Sequence, residues 1–457
     1  MSARRSLRLQ DGLFSNCCLC LVVLFAPLTL APRAVGQNAD SLLTASSPQE
    51  HVGSQSVTPL DDLLTEAERS NPQIEAARQG WQAAKQVPSQ VSTLPDPQFQ
   101  IQQFSVGSPR PFAGYTNSNF AYIGLGVSQD LPYPGKLKLK GEIATQDAAM
   151  AQQQYESVRR AVIAGVKSNY FRLASLSKTL GILESDGQLL EQVERAADAR
   201  YRSGMGNQQD VLQAQLEQTK LLREITMHHL EVAKVQAQMK QILNRSQSSP
   251  DIETAELPES PLPYSFEDLL TAAKAQNPQI STSQEMIQRQ KLAVDLAHKD
   301  FYPDFNLQYM WQRTDPTQYR AYYMLTFGVR VPIYRGRKQR PELAQAEADL
   351  SRSRSELASQ SQQVAADLRT EYDTAQQTAD LLKIYRQGLL PQARAEFEAG
   401  MAAYQNNRQE FQSLFASFLD VLQLDEQYWQ TLADRETALA RIEELTGLSL
   451  EDGGARK

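Results

Sequence analysis

The chain is poor in cysteine and histidine. Its three cysteines, Cys17, Cys18 and Cys20, all lie near the start. Beyond them there is no disulfide, thiolate metal site or cysteine nucleophile. The four histidines form no zinc or copper constellation. His228 and His229 are adjacent, so a helix points them about 100° apart and they cannot act as an i, i+4 metal pair. His51 and His298 are isolated. No Gly-rich phosphate loop is present, so energy for any transport step must come from a partner. No stretch after residue 36 approaches the ~20 apolar residues of a membrane helix. A later segment that enters a membrane must do so as β-strands.

Positive charge is also in deficit, with a net charge of −7. Residues 1–36 hold four Arg and one Asp, which leaves 42 basic and 52 acidic residues, a net −10, beyond them. That balance argues against nucleic acid as a partner. Residues 1–36 read as a secretory signal peptide. Arg4, Arg5 and Arg8 precede an apolar run from Cys17 to Leu30, and Ala34-Val35-Gly36 is a small-residue cleavage site before Gln37. Phe14-Ser15-Asn16 lacks the pattern expected before a lipid-bearing cysteine. Ser175-Leu176-Ser177-Lys178 fits Ser-x-x-Lys, but it sits in a helical stretch without the companion motifs of an acyl enzyme.

What the chain does have is a duplication. Asn71-Pro72-Gln73-Ile74 recurs as Asn277-Pro278-Gln279-Ile280, and Pro95-Asp96 as Pro303-Asp304. Tyr133-Pro134-Gly135-Lys136 is answered by Tyr334-Arg335-Gly336-Arg337. The offset stays between 201 and 208 residues, too long for a solenoid unit, so the chain is two halves of one body. After a polar leader over 37–58, the first half covers 59–244. A Pro- and Ser-rich linker over 245–264 leads to the second half at 265–447, and a tail occupies 448–457.

Residues 59–92 carry helical spacing through Leu60, Leu63, Leu64, Ala67, Ile74 and Ala77. The period then changes to two. Strands are expected at about 98–104 and 120–129, and again at about 304–312 and 322–331. Phe305, Leu307, Tyr309 and Trp311 alternate with Asn306, Gln308, Met310 and Gln312. One face is apolar and aromatic and the other is polar, which fits a membrane barrel strand. A half-buried soluble hairpin is the alternative. Pro132 and Pro332 end the pairing. Long helices follow over 137–202 and 338–405, each on the order of 100 Å at ~1.5 Å per residue. Gly141, Gly165, Gly181, Gly187 and Pro391 are expected to bend or interrupt them. Return helices span 207–244 and 408–447. Leu221, Ile225, His228, Val232, Val235, Met239 and Ile242 give the first a coiled-coil spacing.

The reversal points are the sharpest local motif. Arg200-Tyr201-Arg202-Ser203-Gly204 precedes Asp210-Val211-Leu212, and Tyr404 with Asn407 precedes Ser413 and Leu414. Gly204 closes a helix in the left-handed conformation without steric cost, and Asn407 is the next-best residue for that place.

With these motifs in this order, twice over, the mature chain resembles the TolC-like outer-membrane efflux proteins. The resemblance implies a mainly α fold with a membrane β-barrel portion, in which four strands per chain build a 12-stranded barrel in a homotrimer. It implies long helical hairpins forming an α-barrel in the periplasm. Their tips meet a periplasmic adaptor protein, which links to an inner-membrane pump. On that basis Arg200, Tyr201, Gly204, Asp210, Val211, Leu212, Tyr404, Asn407, Ser413 and Leu414 are candidate adaptor-contacting tip residues. Asp210, Glu410 and Ser413 are pore-entrance candidates. Related channels often carry acids just past the second turn, where this chain has Ser413, Ala416 and Ser417. A ring of Asp210 would favour cations. The expected role is a passive duct, without catalysis or cofactor. A periplasmic coiled-coil scaffold with soluble strands is the other reading.

Overall fold

The computed structural model describes residues 57–104, 122–313, 321–406 and 408–450. The expected signal peptide, nearly all of the leader, Asn407 and residues 451–457 lie outside the described residues.

In the first half, α1 (Leu60–Ser70), α2 (Pro72–Ala84) and α3 (Val87–Ser92) precede β1 (Gln98–Phe104) and β2 (Tyr122–Leu131). Then α4 (Lys136–Arg202) and α5 (Gln208–Ile242) form a long hairpin. The second half repeats the order: α6 (Phe266–Gln276), α7 (Pro278–Lys299), β3 (Asp304–Arg313), β4 (Tyr322–Arg330), then α8 (Gln339–Ile384), a π turn (Tyr385–Leu389), α9 (Leu390–Gln405) and α10 (Phe411–Thr446).

The Asn-Pro-Gln-Ile motif has the same job in each half. The residue before a proline is driven out of the helical region, and Asn71 has ψ 121°, ending α1. Its side-chain oxygen accepts from the Gln73 and Ile74 amides and starts α2, while Nδ2 donates to the Ile242 carbonyl at the end of α5, 2.8 Å away. Asn277 accepts from Gln279 and Ile280 and donates to Leu445 near the end of α10, at 3.0 Å. Both asparagines are buried. Each satisfies helix-end groups of two helices at once, groups that have no partner inside their own helix.

The single helical stretch expected over 59–92 is therefore three helices, broken at Asn71 and again at Lys85–Gln86. Pro88 supplies no amide across the second break, whereas α7, without a proline there, runs on unbroken. The glycines of α4 do not interrupt it, and it continues for 67 residues. Gly141 serves contact instead: a Cβ there would lie 2.9 Å from Ser92 Cβ on α3. Pro391 does mark a disturbance. The π turn immediately before it slips the bonding by one residue, with the Leu390 amide donating to the Tyr385 carbonyl.

The four strands form one antiparallel sheet in the order β1-β2-β3-β4. The two halves meet at its centre, where β2 pairs with β3. Below that seam Lys136, buried at the start of α4, pairs with Asp300 at 3.0 Å and Asp304 at 2.9 Å. The Tyr133 amide also donates to Asp304, and the Tyr133 and Tyr302 rings stack at 4.6 Å. α7 lies between α4 and α8, and α10 also packs on both α4 and α8. Three apolar cores follow along the helices. One gathers Leu63, Ile74, Leu173 and Met239, a second Leu269, Ile280, Leu368 and Ile442, and a third lies at the hairpin tips.

Asn71→Ala should destabilise the protein by about 2–3 kcal/mol, a lost cap plus a buried carbonyl left unpaired. Asn71→Asp, which keeps the cap acceptor, should lose less. Thermal unfolding of the detergent-extracted protein followed by circular dichroism reads both. Equal stability of Asn71→Ala and the parent would show that the bridge contributes nothing.

Candidate functional site

Two regions carry functional chemistry: the faces of the sheet and the tips of the hairpins. The strand register brings Phe99 opposite Val127, Val127 opposite Tyr309, and Tyr309 opposite Leu325. Because side chains alternate along each strand, Ile101, Leu125, Trp311 and Tyr323 share that face. Apart from half-buried Val127, these side chains are open: Phe99 is 82% exposed and Leu325 62%, with Phe327 on the same face at 64%. The opposite face carries Gln98, Gln100, Ser128, Asn306, Gln308 and Thr326, with Asn306 donating to Asp130 at 2.9 Å. A continuous exposed apolar face of this extent suits hydrocarbon, and the reverse face suits water.

At the first tip, α4 ends in a Schellman motif. The Met205 amide donates to the Arg200 carbonyl at 2.9 Å and the Gly204 amide to Tyr201 at 3.0 Å. Gly204 has φ +71° and open space around it. At the second tip the Arg408 amide donates to the Ala403 carbonyl at 2.9 Å, the matching bond. The expected role of Asn407 falls outside the described residues. Arg200 joins the two tips. Its guanidinium lies 4.3 Å from the Tyr404 ring centroid, and Nη1 donates to the Tyr404 carbonyl at 3.1 Å.

Two candidates need correction. Tyr404 and Leu414 are both wholly buried and offer no surface to a partner. They form the tip core with Phe411, Phe415 and Phe418, where Tyr404 and Phe411 meet edge to face at 5.9 Å. Burial pushes the Tyr404 phenol above its ordinary range, and Asp210 nearby adds to this while Arg200 opposes it. Tyr201, Leu212, Glu410 and Ser413 are exposed, whereas Asp210 and Val211 are half-buried in the first turn of α5. Met205, 61% exposed beside Gly204, is a tip residue that sequence reasoning missed. Its apolar character alone gives no signal of exposure.

Above the tip core, Arg394 holds Asp425 with two bonds at 2.8 and 3.0 Å. Asp186 on α4 lies close by, and one of its carboxylate oxygens is buried without a partner. Burial, with the Asp425 charge, raises its pKa to about 6, against the pull of Arg394. A cavity of about 620 Å³ lies elsewhere, between Pro59, Tyr170, the linker prolines and Glu436. Among the described residues, no group of His, Cys, Asp or Glu is placed to hold a metal ion, and no helix is long and apolar enough to cross a membrane.

The family described as "Outer membrane efflux protein" matches residues 63–245 and 269–447, which are the two halves. The chain belongs to the outer membrane efflux protein family. It is an outer-membrane efflux channel, and its sheet and helical hairpins are those of the family fold. Among solved structures, VceC of Vibrio cholerae is similar with TM-score 0.72 at 15% identity, over 86% of this chain and 96% of that one. The open state of MtrE from Neisseria gonorrhoeae gives 0.72 at 14% identity, over 86% and 89%. CusC gives 0.73 at 17% identity, over 85% and 92%. At such identities the likeness is one of fold. No curated protein matches the sequence.

Gly204→Val should strain the turn by ~1–2 kcal/mol, while Gly204→Asn should be tolerated because Asn enters the left-handed region more readily. Equal melting temperatures for the two variants would contradict this. Asp186 holds its proton more tightly folded than unfolded, so its contribution to stability is complete below about pH 4 and is lost as pH rises through about 6. Asp186→Asn should therefore melt higher than the parent at pH 8, with the gap closing on acidification below pH 6. A gap that does not vary with pH would place the ionisation elsewhere.

Proposed function

We propose that three copies of the chain close a 12-stranded barrel in the outer membrane, continuous with a helical duct in the periplasm. A periplasmic adaptor and an inner-membrane pump deliver the substrate, and the duct conducts it passively to the exterior. The observation that carries this is the four-stranded sheet, apolar and exposed on one face, with β1 and β4 unpartnered at its two edges among the described residues. Four strands are too few for even the smallest barrels of ~8, and lipid cannot satisfy an open edge. The exposed apolar face also speaks against a soluble scaffold. The number three follows from the family resemblance.

The same proposal takes residues 1–36 as signal peptide, 37–58 as leader, 59–244 and 265–447 as the halves joined by 245–264, and 448–457 as tail. Tyr201 and Leu212, with Met205, Arg200, Val211, Gly204 and Ser413 beside them, are the surface offered to the adaptor. Asp210 and Glu410 give the entrance a negative rim. Drugs, metal ions and proteins are all open as its cargo, and selection belongs to the pump.

Protein extracted from outer membranes in mild detergent should have about three times the mass of the mature chain, and should form cation-preferring pores in planar bilayers. Asp210→Asn should weaken that preference. A monomer released without detergent would overturn the duct and favour the scaffold.

A further inference from the structure

The interface between the two halves supplies a template for the interface between copies. The two strand hairpins share one register: Gln98 opposite Ser128 and Phe99 opposite Val127 in the first correspond to Asn306 opposite Gly328 and Leu307 opposite Phe327 in the second. β1 thus corresponds to β3 and β2 to β4, with Asp96 matching Asp304 and Pro132 matching Pro332. Inside the chain, β2 of one half meets β3 of the other, pairing Asp130 with Asn306, Ser128 with Gln308 and Val127 with Tyr309. The free edges are the same two strands in the opposite halves, β4 and β1.

The charge at the junction is split in the same way. Lys136 lies in a turn in which its amide donates to the Tyr133 carbonyl, and its side chain reaches Asp304. Arg337 lies in the matching turn, its amide donating to the Tyr334 carbonyl. Its side chain is exposed, as is Asp96, and neither has an ion-pair partner among the described residues.

The helices are open on the corresponding sides. α7 packs on α4 and α8, but α2 and α3 pack on α4 without α8. α10 packs extensively on both α4 and α8, whereas the extensive packing of α5 is on α4. On α5, Leu212, Leu216, Met227 and Leu230 are exposed. They lie within roughly 60° of one another, on the side away from buried Ala214, Leu221 and Met239.

We propose that β4 of one copy pairs antiparallel with β1 of the next in the register of the internal seam, Arg330 opposite Gln98, Gly328 opposite Gln100 and Phe327 opposite Ile101, with Arg337 forming an ion pair to Asp96 of the neighbouring copy. This rests on the assembly proposed above and specifies its seam. The register keeps Val329 and Phe327 beside Phe99 and Ile101 on the apolar face, and Gly328 and Thr326 beside Gln100 and Gln102 on the polar face. A slip of one residue would invert the faces. A slip of two would separate Arg337 from Asp96. The β4 strand end carries Arg330 where β2 carries Asp130, and Gln98 replaces Asn306, so the amide accepts from the cation where its counterpart donates to the acid.

Cysteine pairs test the seam, since the chain has no cysteine beyond Cys20. Gly328→Cys with Gln100→Cys, and Phe327→Cys with Ile101→Cys, cover both kinds of cross-strand pair. Directly opposed Cα atoms lie about 4.5–5.5 Å apart, within disulfide range, while diagonal ones lie about 7–8 Å apart. Gly328 tolerates the change, because an added Cβ meets nothing nearer than 3.5 Å. Oxidation of the full protein in membranes should give a covalent ring of three chains on a non-reducing gel with the matched pairs. Gly328→Cys with Gln98→Cys or with Gln102→Cys should give little. Strong linking by a mismatched pair, or an intact detergent-extracted trimer that neither matched pair links, would overturn the register while leaving the assembly standing. A monomer in detergent would remove both. Arg337→Glu should lower the temperature at which the assembly dissociates, and adding Asp96→Arg should restore it. An unchanged midpoint in Arg337→Glu, or no recovery in the double variant, would remove the ion pair.

Discussion

A backbone amide facing hydrocarbon has no water to turn to, so it must find its partner within protein. Much of this molecule follows from that constraint. Two hairpins joined through β2 and β3 satisfy every strand except at two edges. Those edges cannot be blunted with charge or proline along their length, because the same side chains have to meet lipid on one face. The strands are short and the helices long, yet the strands decide how the helices stand. Each helix that leads towards a tip leaves directly from a strand end, and Lys136 ties that departure to the other half through Asp300 and Asp304.

The two halves have kept their polar joints and let much else drift. Asn71 and Asn277 make the same set of bonds at the same two helix ends. Around them the helices differ: α2 and α3 are divided where α7 is continuous, and α4 is continuous where α8 and α9 are separated by a π turn. A buried amide bridge has few substitutes, since each partner left without it is an unpaired group in a dry place. A helix surface can trade one apolar residue for another at small cost. Conserved geometry therefore sits at the joints.

The duplication, the alternating strands and the Gly204 reversal were legible because each is local, a matter of spacing or of one residue's backbone freedom. The bridging half of each asparagine was not. The cap on Ile74 can be read three residues away, but the bond from Asn71 to Ile242 spans 171 positions. The Lys136–Asp304 contact and the Asp186 environment were hidden for the same reason. Tyr404 and Leu414 were misplaced because alignment with the other tip makes them look equivalent to surface positions. Tyr201 in the first tip is open while Tyr404 in the second is enclosed. The disturbance before Pro391 was legible from that proline, whereas the break at Lys85–Gln86 was not, because the effect of Pro88 depends on which carbonyl it leaves unanswered.

Arg200 gives that last difference a mechanical meaning. It lies across Tyr404 and bonds its carbonyl, tying the two tips of one chain into a single leaf. The residue at the corresponding place in the second tip is Ala403, which has no guanidinium to reach across to a neighbour. A ring assembled from such chains has twice as many tips as leaves. In the ring proposed above, the Arg200 contact would give the stiffness the symmetry of the chains and not that of the repeats, with the boundaries between chains as the yielding seams.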